Sequence, residues 1–138
     1  MATQIFVNLP VKDLEKSKAF FGALGFSFNP QFTDDNGACM IIEDGASYAM
    51  LLSHTRFKEF TPKPIADSAT TTGALIALSR DSRADVEEIV KKAVAAGGST
   101  YAEPADHGFM YQHGFMDPDG HIWEVLWMDP AALQQDAA

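Results

Sequence analysis

The apolar positions of the chain follow two spacings that alternate in a fixed order. Residues 5–11 are rich in aromatic and β-branched side chains, which predicts a strand. After Asp13 the apolar residues recur at helical spacing, which predicts a helix that Asp13 caps and Gly25 ends. Three further strand-like runs follow at 26–32, 38–43 and 47–53. Asp-Asn-Gly and Glu-Asp-Gly sequences separate these runs and are typical of hairpin turns.

The segment 54–72 has a different character. It contains two prolines and a cluster of serine and threonine, with Phe57 and Phe60 among them. Such a composition predicts a linker with at most a turn of helix. Two interpretations of its aromatic residues stay open. They either fasten a long loop to the body of the protein or belong to a flap that closes over a pocket.

The order of elements then begins again. A strand is predicted at 75–78, followed by a helix that starts at Asp81 and Ser82 and ends at Gly97. Strand-like runs follow at 99–103, 109–116 and 122–128. The sequence therefore predicts an α+β fold of two β-α-β-β-β modules, at about 4–53 and 73–128, within one domain over 1–138. A single module leaves one sheet face uncovered, so we expect curled mixed sheets around a cleft.

Two stretches resemble a known family. VKDLEKSKAFFGALGF at 11–26 resembles the opening module of glyoxalase, bleomycin-resistance and extradiol-dioxygenase proteins, and DPDGHIWEV at 117–125 resembles their closing hairpin. The chain is identified by these motifs, and by its repeated order of elements, as a member of the vicinal-oxygen-chelate superfamily. The resemblance implies a paired-module scaffold in which four strand positions hold a divalent metal ion in the metal-dependent members.

The resemblance places three apolar residues at those four ligand positions. The residue seven before the capping aspartate is Phe6 in the first module and Ala74 in the second. The fourth-strand position falls at Leu51, give or take one residue, and the closing-strand position falls at Glu124. Only Glu124 has a side chain that can bind a metal. We therefore expect no metal and no other cofactor, and no glyoxalase I activity. The alternative is an atypical divalent metal site that includes Glu124.

The register of the last hairpin decides whether a histidine joins Glu124. Asp-Pro-Asp-Gly at 117–120 favours a type I turn with glycine in a bulge, which pairs Gly114 with Glu124. Gln112 and Glu124 then share one face, and His113 lies on the other. A pairing shifted by one residue would instead set His113 opposite Glu124. The remaining histidines, 54, 107 and 121, are interpreted as loop or surface residues, although His54 ends a strand beside the proposed flap.

The candidate pocket is apolar with few polar groups. Its predicted residues are Phe6, Asn8, Leu51, Ala74, Gln112 and Glu124. Asn8 and Gln112 would offer neutral hydrogen bonds, which suits an uncharged or aromatic small molecule. Leaving a carboxylate buried and idle is costly, so Glu124 is the candidate catalytic acid or base. The first hypothesis is a metal-free binding protein of the bleomycin-resistance type; the second is a lyase or dioxygenase-like enzyme.

Net charge and composition limit the classes of binding partner that we expect for this protein. The net charge is −9, which disfavours nucleic-acid binding. The sequence contains no apolar run long enough for a membrane span, and its first residues lack a basic start followed by an apolar stretch, so we expect no signal peptide. The single cysteine, Cys39, is interpreted as a buried packing residue in a protein of the cytoplasm. The family resemblance implies a homodimer.

Overall fold

Each half of the chain folds into a four-stranded mixed sheet with one long helix. The computed structural model describes residues 3–132, and the chain divides between Asp67 and Ser68 into two units. The predicted α+β fold of two β-α-β-β-β modules is confirmed. Within residues 3–132, no helix has both the length and the apolar character needed to cross a bilayer.

The first unit builds its sheet in the order β1-β4-β3-β2. Its elements are β1 Ile5–Val11, α1 Leu14–Ala23, β2 Ser27–Asn29, β3 Gly37–Glu43, β4 Ser47–Ser53 and the short helix α2 His54–Lys58. Strand β1 runs parallel to β4, and the other pairs are antiparallel. The run predicted at 26–32 is a strand only in its first half. Pro30 has no N–H for the ladder, and Asn29 caps a 3₁₀ turn at Pro30–Phe32 instead.

Helix α1 begins and ends where the sequence predicts. The Asp13 carboxylate accepts a hydrogen bond from the Lys16 amide at 3.1 Å, and Gly25 adopts φ 103°, a conformation that glycine tolerates best. The helix buries Phe20 and Phe21 in the core of the first unit. Cys39 on β3 is 1% exposed, which confirms it as a buried packing residue.

The second unit repeats this plan in the order β5-β8-β7-β6. Its elements are β5 Leu75–Ser79, α3 Arg83–Ala95, β6 Ala105–Asp106, β7 Met110–Met116 and β8 Ile122–Met128. The strand predicted at 99–103 does not form. Ser99 makes one isolated bridge to Met116, and pairing with β7 resumes only at Ala105. Pro104 cannot donate to a ladder, so the intervening chain leaves the sheet edge.

The start of α3 is fastened to the sheet by Arg83. Its guanidinium forms two hydrogen bonds to Asp106, at 2.6 and 3.1 Å, and lies over the rings of Tyr111 and Trp127. This bidentate contact lowers the pKa of Asp106 to about 2. The arrangement also establishes which face of the second sheet α3 covers, because Tyr111 and Trp127 lie on that face.

The turn between β7 and β8 is organised around a buried carboxylate. Asp117 is 5% exposed and accepts hydrogen bonds from the amides of Asp119 and His121 and from the indole of Trp123, at 3.0, 3.0 and 3.1 Å. Gly120 has φ 87° and donates to the Asp117 carbonyl, as the predicted bulged turn requires. Burial raises the pKa of Asp117.

Replacing Asp117 should destabilise the protein strongly. In Asp117→Ala, two backbone amides and the buried Trp123 indole lose their acceptor, so we expect the free energy of unfolding to fall by about 3 kcal/mol. Asp117→Asn keeps an acceptor for the amides but turns a donor toward the indole, and should lose roughly half as much. Urea unfolding measures both values. Asp35→Ala is the exposed control, and an equal loss in that variant would contradict the assignment.

Candidate functional site

The last hairpin adopts the predicted register. Gly114 pairs with Glu124, and His113 pairs with Val125. Val125 is fully buried, whereas Glu124 is partly exposed. Since side chains alternate along a strand, His113 lies on the face that α3 covers, and Gln112 lies with Glu124 on the opposite face. The alternative in which His113 stands directly across from Glu124 is wrong.

The face opposite α3 is called here the open face of the second sheet. It is formed by Ala77, Gln112, Gly114, Glu124 and Leu126, which the ladder pairs place side by side. Above it lies a pocket of about 110 Å³ that is wholly within the second unit. Residues lining the pocket include Tyr101, Glu103, Gln112, His113, Gly114 and Glu124. Two of the predicted site residues, Gln112 and Glu124, are thus brought together.

Tyr101 is a pocket residue that the sequence reasoning missed. Its hydroxyl lies against Gly114 so closely that a Cβ atom there would overlap it, and the same Cβ would come within 2.9 Å of the Trp123 carbonyl oxygen. Tyr101 is 42% exposed; its partial burial raises the pKa of the phenol, and the negative charge of Glu124 raises it further. A glycine inside a strand, directly opposite a carboxylate, was the signal available in the sequence, because such a glycine often marks a close approach.

Three polar side chains of the pocket have no hydrogen-bond partner in the part of the chain that the structure describes. Among residues 3–132, no hydrogen bond ends on the side chain of Tyr101, Gln112 or Glu124, and none of the pocket's described lining residues is lysine or arginine. The carboxylate can only accept hydrogen bonds when ionised, whereas the phenol and the amide can each donate and accept. The arrangement can therefore bind a neutral molecule that offers both kinds of group, and it opposes an anion.

The predicted residues of the first unit do not all share a face. Phe6 and Asn8 lie beside Tyr48 and Met50 of β4, and the ring of Phe6, which is 49% exposed, stacks on Tyr48 with centroids 4.9 Å apart. Leu51 is the neighbour of Leu9 on the other face and is fully buried. The structure therefore does not bring Leu51 together with Phe6 and Asn8, since a shift of one residue along a strand reverses the face.

Ala74 lies just outside the second sheet. Strand β5 begins at Leu75, and the β5 residue that pairs with Glu124 is Ala77. The capping residue of α3 is Ser82, whose hydroxyl accepts from the Asp85 amide at 3.1 Å, so the spacing of seven residues leads back to Leu75. That residue is also apolar, and the position still offers no metal ligand.

The side chains around Glu124 do not match a typical catalytic metal site. Among residues 3–132, no three side chains from histidine, cysteine, aspartate and glutamate come together in a way that could hold a metal ion. Catalytic zinc sites use three protein ligands. His54 begins α2, and His107 lies beside Phe109 in the loop before β7. A single carboxylate at the Glu124 position does not supply the three protein ligands of such a site.

Comparison with protein families supports the resemblance seen in the sequence. The model of the Glyoxalase/Bleomycin resistance protein/Dioxygenase superfamily matches residues 4–125. The chain therefore belongs to that superfamily. A search of curated proteins gives no match.

Solved structures share the fold along nearly the whole chain. A hypothetical protein, SA1046 from S. aureus, is 29% identical with a TM-score of 0.75, and the match covers 92% of this chain and 95% of that one. A glyoxalase-related enzyme from Fulvimarina pelagi is 21% identical with a TM-score of 0.75, over 92% and 88% of the two chains. The fosfomycin resistance protein FosX from Listeria monocytogenes is 20% identical with a TM-score of 0.65, over 92% and 91%.

Titration of the Tyr101 phenol tests whether this side chain lies beside Glu124. In Glu124→Gln the negative charge is gone, so the pKa of the Tyr101 phenol should fall while remaining above its ordinary value, because burial is the larger cause of the shift. Ultraviolet absorbance of phenolate against pH, with the Tyr101→Phe titration subtracted, isolates this group from the other tyrosines. An unchanged Tyr101 pKa in Glu124→Gln would show that the two side chains are not neighbours.

Proposed function

We propose that this protein binds a small, largely apolar or aromatic molecule in the pocket over the open face of the second sheet, without a metal ion. The observation that carries the proposal is the convergence on one pocket of Tyr101, Gln112 and Glu124, whose side chains make no hydrogen bond to any of the residues 3–132. Ligand sites are typically apolar concavities with a few such groups that orient the molecule.

Phe6 and Asn8 remain proposed ligand-binding residues of the first unit, considered by itself. Phe6 presents an exposed ring stacked on Tyr48, and Asn8 follows it on the same face with a neutral amide. An exposed aromatic surface beside an amide suits an uncharged or aromatic ligand. Leu51 and Ala74 have weaker support as ligand-binding residues of their own units, because the first is buried on the helix side of its sheet and the second precedes β5.

Glu124 is the proposed catalytic group if the bound molecule is also transformed. A carboxylate within reach of a bound ligand can take a proton from it or return one. The competing function is a metal-dependent lyase or dioxygenase with an atypical ligand set that includes Glu124. The FosX neighbour is described as a fosfomycin resistance protein, and resistance by sequestering or modifying a small molecule agrees with either form of the proposal.

We also propose that the protein is a cytoplasmic homodimer that binds neither nucleic acid nor membranes. A net charge of −9 repels phosphate-rich partners. Size-exclusion chromatography with light scattering should then give twice the 15.0 kDa mass of one chain. A monomer mass at micromolar concentration would contradict the dimer.

The binding proposal is tested with simple aromatic probes. Benzamide and phenol should bind with roughly millimolar affinity and shift the amide resonances of residues 112, 114 and 124 in nitrogen-15 NMR spectra. Benzoate should bind more weakly because its charge opposes Glu124, and Glu124→Gln should reduce that difference. Glu43→Gln, at an exposed position in the first unit, is the matched charge control and should leave the difference unchanged.

Two outcomes would count against the proposal. Neutral probes that leave these resonances unmoved would show that the pocket does not bind this class of ligand. Elemental analysis of protein purified without added metal addresses the competing function. Stoichiometric nickel, zinc, manganese or iron that is lost in Glu124→Gln would overturn the metal-free proposal.

A further inference from the structure

We propose that Tyr101 determines ligand specificity, and that its hydroxyl and the Glu124 carboxylate together recognise a carbonyl group flanked by an N–H or O–H donor. A primary amide is the simplest example of this class. The inference rests on the proposed function, because it concerns the same pocket, and it adds a residue and a ligand chemistry to it.

Tyr101 is held in place by the backbone on either side of it. The segment between Ser99 and Ala105 is tied to β7 at both ends: Ser99 and Met116 exchange backbone hydrogen bonds at 3.2 and 2.7 Å, and Ala105 pairs with Gln112. Between these ties the chain leaves the ladder. Tyr101 thus projects from a short span with two fixed ends, which limits how far its ring can move.

The absence of a side chain at Gly114 leaves room for the Tyr101 hydroxyl. The Tyr101 hydroxyl occupies the volume that any larger side chain at Gly114 would need. Gly114 is the direct cross-strand neighbour of Glu124. The phenol oxygen is therefore held beside the carboxylate by backbone register rather than by a bond between the two groups, since no hydrogen bond joins them among the described residues.

The Tyr101 phenol and the Glu124 carboxylate offer complementary hydrogen bonds to a ligand. Burial raises the pKa of Tyr101, so the phenol stays protonated at neutral pH and can donate a hydrogen bond. The Glu124 carboxylate, when ionised, can only accept. A ligand carbonyl would accept from Tyr101 while the adjacent N–H or O–H donates to Glu124. A molecule with only one of these groups would leave the other protein group unsatisfied, which costs affinity.

The test compares two probes of similar size, benzamide and acetophenone, which share the carbonyl but differ in the N–H donor. Wild-type protein should bind benzamide about fivefold more tightly than acetophenone. Tyr101→Phe should weaken benzamide binding by roughly fivefold and leave the melting temperature unchanged, since the ring and its packing remain. Tyr111→Phe is the matched control. Tyr111 lies on the opposite face of the same sheet, and its hydroxyl donates to Glu87 of α3. Removing that hydroxyl should not change the affinity for benzamide.

The outcomes separate this inference from the proposed function. If benzamide shifts the resonances around Glu124 in wild-type protein and Tyr101→Phe binds it within twofold of wild type, the role of Tyr101 is wrong and the binding function stands. If neither probe shifts those resonances in wild-type protein, both proposals fail. A loss of affinity accompanied by a lower melting temperature in Tyr101→Phe would indicate a structural role and would overturn the inference.

Discussion

The hairpin between β7 and β8 depends on the buried carboxylate of Asp117. Its two oxygens accept from two amides of the turn and from the Trp123 indole, so the turn and the first core residue of β8 are fixed by one side chain. Because strand faces alternate, this fixation decides that Glu124 points to the open face and Trp123 to the core. The pocket on the open face exists only in this register.

The repeated elements could be predicted from the sequence because each signal is local. Capping by Asp13 and Ser82, the glycines after both helices and the Asp-Pro-Asp-Gly turn involve residues only a few positions apart. The strand expected at 99–103 could not be judged in this way. Whether it pairs depends on its neighbour in the sheet, where Tyr101 lies on Gly114 and Pro104 offers no donor.

The candidate site was predictable only where a register could be worked out. Gln112 and Glu124 were placed together because a recognisable turn connects their strands, and the structure pairs those strands as expected. Leu51 was located by counting along a family pattern, and an error of one residue reverses the face of a strand. Tyr101 has no motif around it, and its position follows from a close contact between an irregular segment and Gly114 of β7, which no local sequence signal predicts.

The pocket wall and the frame of the sheet are made by separate stretches of chain. In the described part of the chain, the span that carries Tyr101 pairs its backbone with β7 at Ser99 and at Ala105, and no ladder pair lies between these two residues. Its residues can therefore be exchanged without changing the strand pairing that supports the fold. The chemistry of the open face can therefore change through a few substitutions in one short span, while the buried hairpin beneath it keeps the shape of that face.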